Sequence, residues 1–116
     1  FTPDGERVLV SNSLTADIAV FSSKDRKEEL RIPMAWTLEE QSGAFAGSQL
    51  GPVPDAIVVS SDGRSAFVSN GVTDTVSVID LRQWRVAQRW RAGDQPDGLA
   101  YAVIEAKSRR HLDVIE

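Results

Sequence analysis

The sequence predicts an all-β protein assembled from repeated units of four short antiparallel strands. Three observations carry that expectation. Stretches of alternating, β-branched residues such as 65–69 and 75–80 are separated by clusters of turn residues. Residues 1–22 recur without a gap: Asp4-Gly5 falls on Asp62-Gly63, Val10-Ser11-Asn12 on Val68-Ser69-Asn70, Thr15 on Thr73 and Val20 on Val78, an offset of 58. A second anchor, Gly51-Pro52-Val53-Pro54 against Gly93-Asp94-Gln95-Pro96, gives an offset of 42. That is the size of one four-stranded β-propeller blade. The two offsets differ by 16 residues, so the first repeat carries an insertion of that length.

Taken in order, the chain opens in mid-repeat. Residues 1–33 read as a partial blade holding strands two to four, near 7–11, 17–21 and 28–32. Residues 34–50 form an inter-blade insertion loop, with Thr37 placed to cap one helical turn over 37–41. Residues 51–93 make a complete blade. Its inner strand is the apolar run 56–60, and Ser61-Asp62-Gly63-Arg64 is a hairpin turn in which Asp-Gly supplies positive φ angles. Strands follow at 65–69 and 75–80, joined by Asn70-Gly71-Val72-Thr73-Asp74, whose Asn and Asp side chains suit a turn.

The outer strand is 85–91. Strict alternation puts Arg85, Ala87, Arg89 and Arg91 on one face and Trp84, Val86, Gln88 and Trp90 on the other. The Trp face is expected against a neighbouring blade and the Arg face at a solvated perimeter that discourages edge pairing. Residues 94–103 read as the first strand of a next blade. Residues 104–116 are a divergent tail, since Ile104-Glu105 stands where the Asp-Gly turn would recur. A blade has two broad faces to cover, and two blades leave apolar surface wet. The expectation is a segment of a larger propeller, or copies that associate to close the ring.

Composition narrows the function classes. The net charge of −4 argues against a nucleic-acid partner, which needs a basic surface. No apolar run reaches the roughly 18 residues of a membrane span. The chain has no cysteine, which removes disulfides, thiolate metal sites and thiol nucleophiles within it. The single histidine, His111, lies in the tail with no turn to hold partners around it. Neither a phosphate loop nor a Gly-x-Ser-x-Gly elbow is present. Glu39-Glu40 point apart as neighbours do and read as solvated charge. No catalytic residue, metal or cofactor is expected.

The run Pro3-Asp4-Gly5, Val8-Leu9-Val10-Ser11-Asn12 or Ala66-Phe67-Val68-Ser69-Asn70, and Val76-Ser77-Val78-Ile79-Asp80 resembles the YVTN β-propeller repeat. Gly93, Pro96, Gly98, Leu99 and Ala100 match the opening of that repeat, as do Gly51, Pro54 and Ile57 with Ala56 in the Gly place. The resemblance covers most of residues 1–21 and 51–100. It implies a propeller of about seven blades, in an exported bacterial or archaeal protein, periplasmic or extracellular. The family includes surface-layer proteins, lactonase-like enzymes and propellers accompanying periplasmic redox systems. The chain therefore reads as a non-catalytic binding or assembly scaffold. The alternative is part of a propeller enzyme, or of a redox-associated propeller, whose reacting groups lie outside this chain.

In a propeller, the loops between strands two and three share a rim with the connections between blades. That placement makes Asn12, Asp55, Asn70, Asp74, Asp97 and Trp36 the candidate ligand-binding residues. The competing reading makes the Asn and Asp positions turn formers and Trp36, with Phe45, the anchor of a packed insertion. The expected partner is a protein or small ligand at this rim, together with the remaining blades.

Overall fold

Turn residues and β-branched alternation cut the chain into seven strands and one short helix in the computed structural model, which describes residues 1–93, 98 and 99. Strands β1 (Arg7–Asn12), β2 (Asp17–Ser22) and β3 (Glu28–Pro33) form one antiparallel sheet in sequential order. Helix α1 (Leu38–Ser42) follows. Strands β4 (Pro54–Val59), β5 (Ser65–Asn70), β6 (Thr75–Asp80) and β7 (Arg85–Arg91) form a second antiparallel sheet, again in sequential order. The expected strand at 94–103 and the tail at 104–116 lie outside the described residues, apart from Gly98 and Leu99.

The repeat holds at the level of backbone geometry. Positive φ angles occur in pairs 58 residues apart: Gly5 (74°) with Gly63 (72°), Ala16 (52°) with Asp74 (54°), and Arg26 (61°) with Trp84 (56°). The β-bulges repeat too, between Val20 and Phe21 in one sheet and between Val78 and Ile79 in the other.

The hairpin turn at Asp62-Gly63 is built differently from the sequence expectation. Only Gly63 has a positive φ. Asp62 acts through its side chain instead, accepting from the Arg64 amide at 2.9 Å and from the Ser60 hydroxyl at 2.6 Å. The turn closes by Gly63 N–H to Ser60 C=O at 3.0 Å and Ser60 N–H to Ser65 C=O at 2.8 Å. The looped segment is longer than a two-residue turn, so a single left-handed residue suffices.

A Cβ at position 63 would meet Pro3 Cδ at an ordinary 3.6 Å, so substitution there is opposed by backbone conformation and not by crowding. Gly63→Val is expected to lower the unfolding free energy by more than about 1 kcal/mol. Gly63→Asn should cost less, because Asn tolerates the left-handed region. Equal denaturation midpoints for the two variants would contradict this account of the turn.

The core lies between the sheets. Ile18, Val20, Ile32 and Met34 pack with Ala66, Val68, Ile79 and Leu81, flanked by half-buried Leu9, Leu30, Ile57, Val59 and Val86. Strict alternation leaves each sheet a second face. On the first sheet this face carries Val8, Val10 and Phe21, the counterparts at the 58-residue offset of buried Ala66, Val68 and Ile79. On the second it carries Phe67, Val76, Val78 and Trp90, the counterparts of Leu9, Ile18, Val20 and Ile32. Val10 and Trp90 stand 41% and 49% exposed, so these faces are open among the described residues. The inner strand β4 is accordingly only half-buried over most of its length.

The outer strand departs from strict alternation. Ile79 pairs with Val86 but Val78 pairs with Gln88, so Ala87 is the extra residue of the bulge. Val86 therefore shares the inter-sheet side with Arg89 and Arg91, while Gln88 and Trp90 share the open side. Trp90 packs there on Phe67, with ring centroids 5.8 Å apart.

Candidate functional site

One end of the two-sheet stack gathers the β1–β2 loop, the β5–β6 loop and the insertion. Met34 N–H donates to Ala16 C=O at 2.9 Å, Ser13 Oγ to Pro54 C=O at 2.8 Å and Ser11 Oγ to Asp55 C=O at 2.7 Å. The hairpin turns lie together elsewhere, where Asp4, Gly63 and Trp84 line a separate cavity of about 250 Å³.

The insertion is locked onto β7. Thr37 caps α1 through a reciprocal box: its Oγ1 accepts from the Glu40 amide, and Glu40 Oε1 accepts from the Thr37 amide, both at 3.1 Å. That geometry aims Glu40 at Arg89. The guanidinium donates through Nε to Glu40 Oε2 and through Nη2 to Oε1 at 3.2 Å. It also donates to Ala35 C=O at 2.9 Å and to Ser77 Oγ at 3.2 Å. The Arg89 side chain is 3% exposed. It lies over the Trp36 ring at 4.7 Å, Trp36 stacks on Phe45 at 4.0 Å, and Arg91 sits over Phe45 at 5.7 Å.

Two sequence expectations are corrected here. Glu40 is a buried-pair partner and helix cap, not solvated charge, whereas Glu39 is exposed. Arg89 is a tether and not a solvated edge residue. Its counterpart at the repeat offset, Arg31, lies on the open face of the first sheet, where it is 51% exposed and pairs with Asp17 and Glu28. Partial burial pushes the Glu40 carboxyl up, but the bonds from Arg89 and the Thr37 amide outweigh it and hold the group below its ordinary value of 4.5.

No protein-family model and no curated protein matches the chain. Similar solved structures include the hydrazine synthase of Kuenenia stuttgartiensis (TM-score 0.67, 22% identity, covering 84% of this chain and 23% of that one). U3-55K is similar at a TM-score of 0.57 and 14% identity, with 78% of this chain and 24% of that chain covered. The WD40 repeats of RRP9 follow at 0.56 and 13%, with 79% and 24% covered. The fold is that of a β-propeller segment. The chain spans about a quarter of the length of these similar chains.

Within this propeller segment the residues singled out from sequence have distinct surroundings. Asn70, at the end of β5, is fully buried and donates to Thr75 Oγ1 at 3.2 Å and Ser77 Oγ at 2.8 Å, while its Oδ1 has no partner. Asp74 holds the left-handed position of the β5–β6 loop, and its carbonyl accepts from the Ala92 amide at 2.8 Å. Asn12 donates to Asp17 Oδ1 at 2.7 Å, and this bond is the leading reason the Asp17 carboxyl lies below the usual range. Asp55 is exposed near the start of β4. Trp36 is 8% exposed, with its indole N–H bonded to Leu50 C=O at 2.9 Å. Asp97 lies outside the described residues.

Trp36 lines a rim cavity of about 350 Å³ with Ser48, Leu50, Val72, Thr73 and Arg91. Asn70 reaches the same cavity indirectly, through Thr75 and then Thr73, whose hydroxyls are 3.1 Å apart. Asn12 and Asp55 are not among its lining residues. Sequence reasoning missed Arg89, Glu40 and Arg91 at this site. The only available signal was the Thr37-x-x-Glu40 capping box, which fixes where Glu40 points. Among the described residues no group of three or more His, Cys, Asp or Glu side chains is placed to hold a metal ion.

Proposed function

We propose that the chain is a non-catalytic part of a β-propeller scaffold that binds a protein partner on the rim built by the insertion and the β5–β6 loop. The observation that carries this reading is the clamp. Because Arg89 is buried against Glu40, Ala35 and Trp36, the insertion is a fixed surface and not a loose lid. It presents exposed Leu38 and Leu50, with exposed Val72 from the neighbouring loop. Apolar side chains held out on a rigid base favour protein contact. The scaffold role agrees with the propeller fold in general.

The two open sheet faces take further blades of the same repeat, from a longer chain or from other copies. Kinship with the YVTN repeats, and with it an exported bacterial or archaeal setting, belongs to the same proposal through the repeat residues. The test is co-purification from the source cells with two variants of the same protein. Replacing Leu38, Leu50 and Val72 with Ser should lose the bound partner and leave the assembly mass unchanged. Val10→Lys, on an open face, should alter the assembly mass measured by light scattering where copies supply the next blade, and lower the thermal midpoint where a longer chain does. A partner retained by the rim variant would overturn the rim reading, and an unchanged mass together with an unchanged thermal midpoint for Val10→Lys would overturn the blade contact.

A further inference from the structure

The rim cavity has a chemistry of its own, set by which of its donors are already satisfied. Among the described residues its one charged lining residue is Arg91. Arg89, two residues earlier, is neutralised by both oxygens of Glu40. Arg91 makes no ion pair among the described residues. Its bond to Ala44 C=O is long, at 3.3 Å, and the Phe45 ring supports its face. Among the described residues the guanidinium is thus positioned but not neutralised.

Thr73 supplies a second donor. The two protons of the Asn70 amide go to Thr75 and Ser77. Thr75 Oγ1 accepts from Asn70 and shares a hydrogen bond with Thr73 Oγ1 at 3.1 Å, in which either hydroxyl can donate. Where Thr75 donates, the Thr73 proton is free for a ligand in the cavity that Thr73 lines, and the buried Asn70 anchors Thr75 at the far end. Arg91 and Thr73 both line this cavity. Leu50, 61% exposed, and Val72, 51% exposed, flank it with apolar surface.

We propose that this cavity binds an acidic residue of a partner peptide, its carboxylate on Arg91 and Thr73 and a neighbouring apolar side chain between Leu50 and Val72. The inference rests on the rim-binding reading above and names the chemistry of its partner. An ionised acceptor is selected because charge-assisted bonds to a guanidinium are about twice as strong as neutral ones. A neutral amide would bond Thr73 yet leave the Arg91 charge unmatched.

The experiment titrates the chain with the peptide Ac-Leu-Asp-Leu-NH2, its Asn isostere and N-acetylleucine, following backbone amide resonances. The Asp peptide should shift Leu50, Thr73 and Arg91 and bind about ten-fold more tightly than the Asn peptide. Arg91→Gln should erase that ratio with the thermal midpoint preserved, and Arg91→Lys should keep part of it. Equal binding of the Asp and Asn peptides, or no binding by either, overturns the carboxylate assignment. N-acetylleucine binding as tightly as the Asp peptide overturns the peptide source in favour of a small free acid. Either failure with co-purification at the rim intact leaves the rim-binding reading standing. Retention of the co-purifying partner by the Ser variant is the result that removes that reading itself.

Discussion

Replacing Arg89 with Met is expected to lower the unfolding free energy by about 3 kcal/mol, the lower end of what removing one partner from a buried ion pair costs. The lower end applies because Glu40 is 23% exposed and keeps the Thr37 amide as a donor, so the orphaned carboxylate is partly solvated. Also lost are the bonds to Ala35 and Ser77 and the contact over Trp36. The repeat provides its own control. Arg31→Met, at the equivalent position but 51% exposed, should cost less than about 1 kcal/mol. The pair should also show in acid. The Glu40 carboxyl is depressed in the folded state, so its contribution is complete above the ordinary value of 4.5 and fades as pH falls through the folded value. The stability gap between the parent chain and Arg89→Met should therefore narrow at acid pH. Denaturant midpoints at neutral and acid pH measure both effects, and an Arg89→Met loss no larger than that of Arg31→Met would mean the buried pair contributes nothing.

How far the fold could be read from sequence depended on whether the signal was local. Strand positions were legible because β-branched alternation ends at turn residues, and Gly5 and Gly63 announced their left-handed turns. The other left-handed pairs were not legible. Ala16 and Trp84 have no intrinsic preference for positive φ, and they adopt it because the hairpin closes around them, as in the Trp84 N–H bond to Asp80 C=O at 2.8 Å. The bulge at Ala87 was equally silent, and it moved Val86 to the side that alternation had denied it. At the rim, the cap on α1 was visible as a four-residue pattern. Its electrostatic purpose was not, because Glu40 and Arg89 are 49 residues apart and nothing periodic links them. The insertion length was evident, but whether it floats or is clamped depended on a single arginine on β7, the fourth strand after it.

Deleting residues 35–48 should abolish partner binding at the rim and yet cost less stability than the single substitution Arg89→Met. Met34 and residues 49–53 would remain as the β3–β4 connection, within the usual length of about 4–6 residues, so the two sheets need not be strained apart. The deletion removes Glu40, Ala35 C=O and Trp36, but it removes the cover over Arg89 at the same time. Arg89 then meets water, as Arg31 already does. Much of what Trp36 buries, namely Phe45 and the Leu50 carbonyl contact, is internal to the insertion. The point variant differs in kind, since it keeps the cover and strands a carboxylate beneath it. Arg89→Met should accordingly be nearly neutral in the deleted background, within about 1 kcal/mol, giving strong non-additivity between the two changes. A double-variant cycle by denaturant unfolding measures it. Loss of cooperative unfolding on deletion alone would make the insertion part of the blade core and not a clamped surface element, and additive costs would separate Arg89 from the insertion altogether.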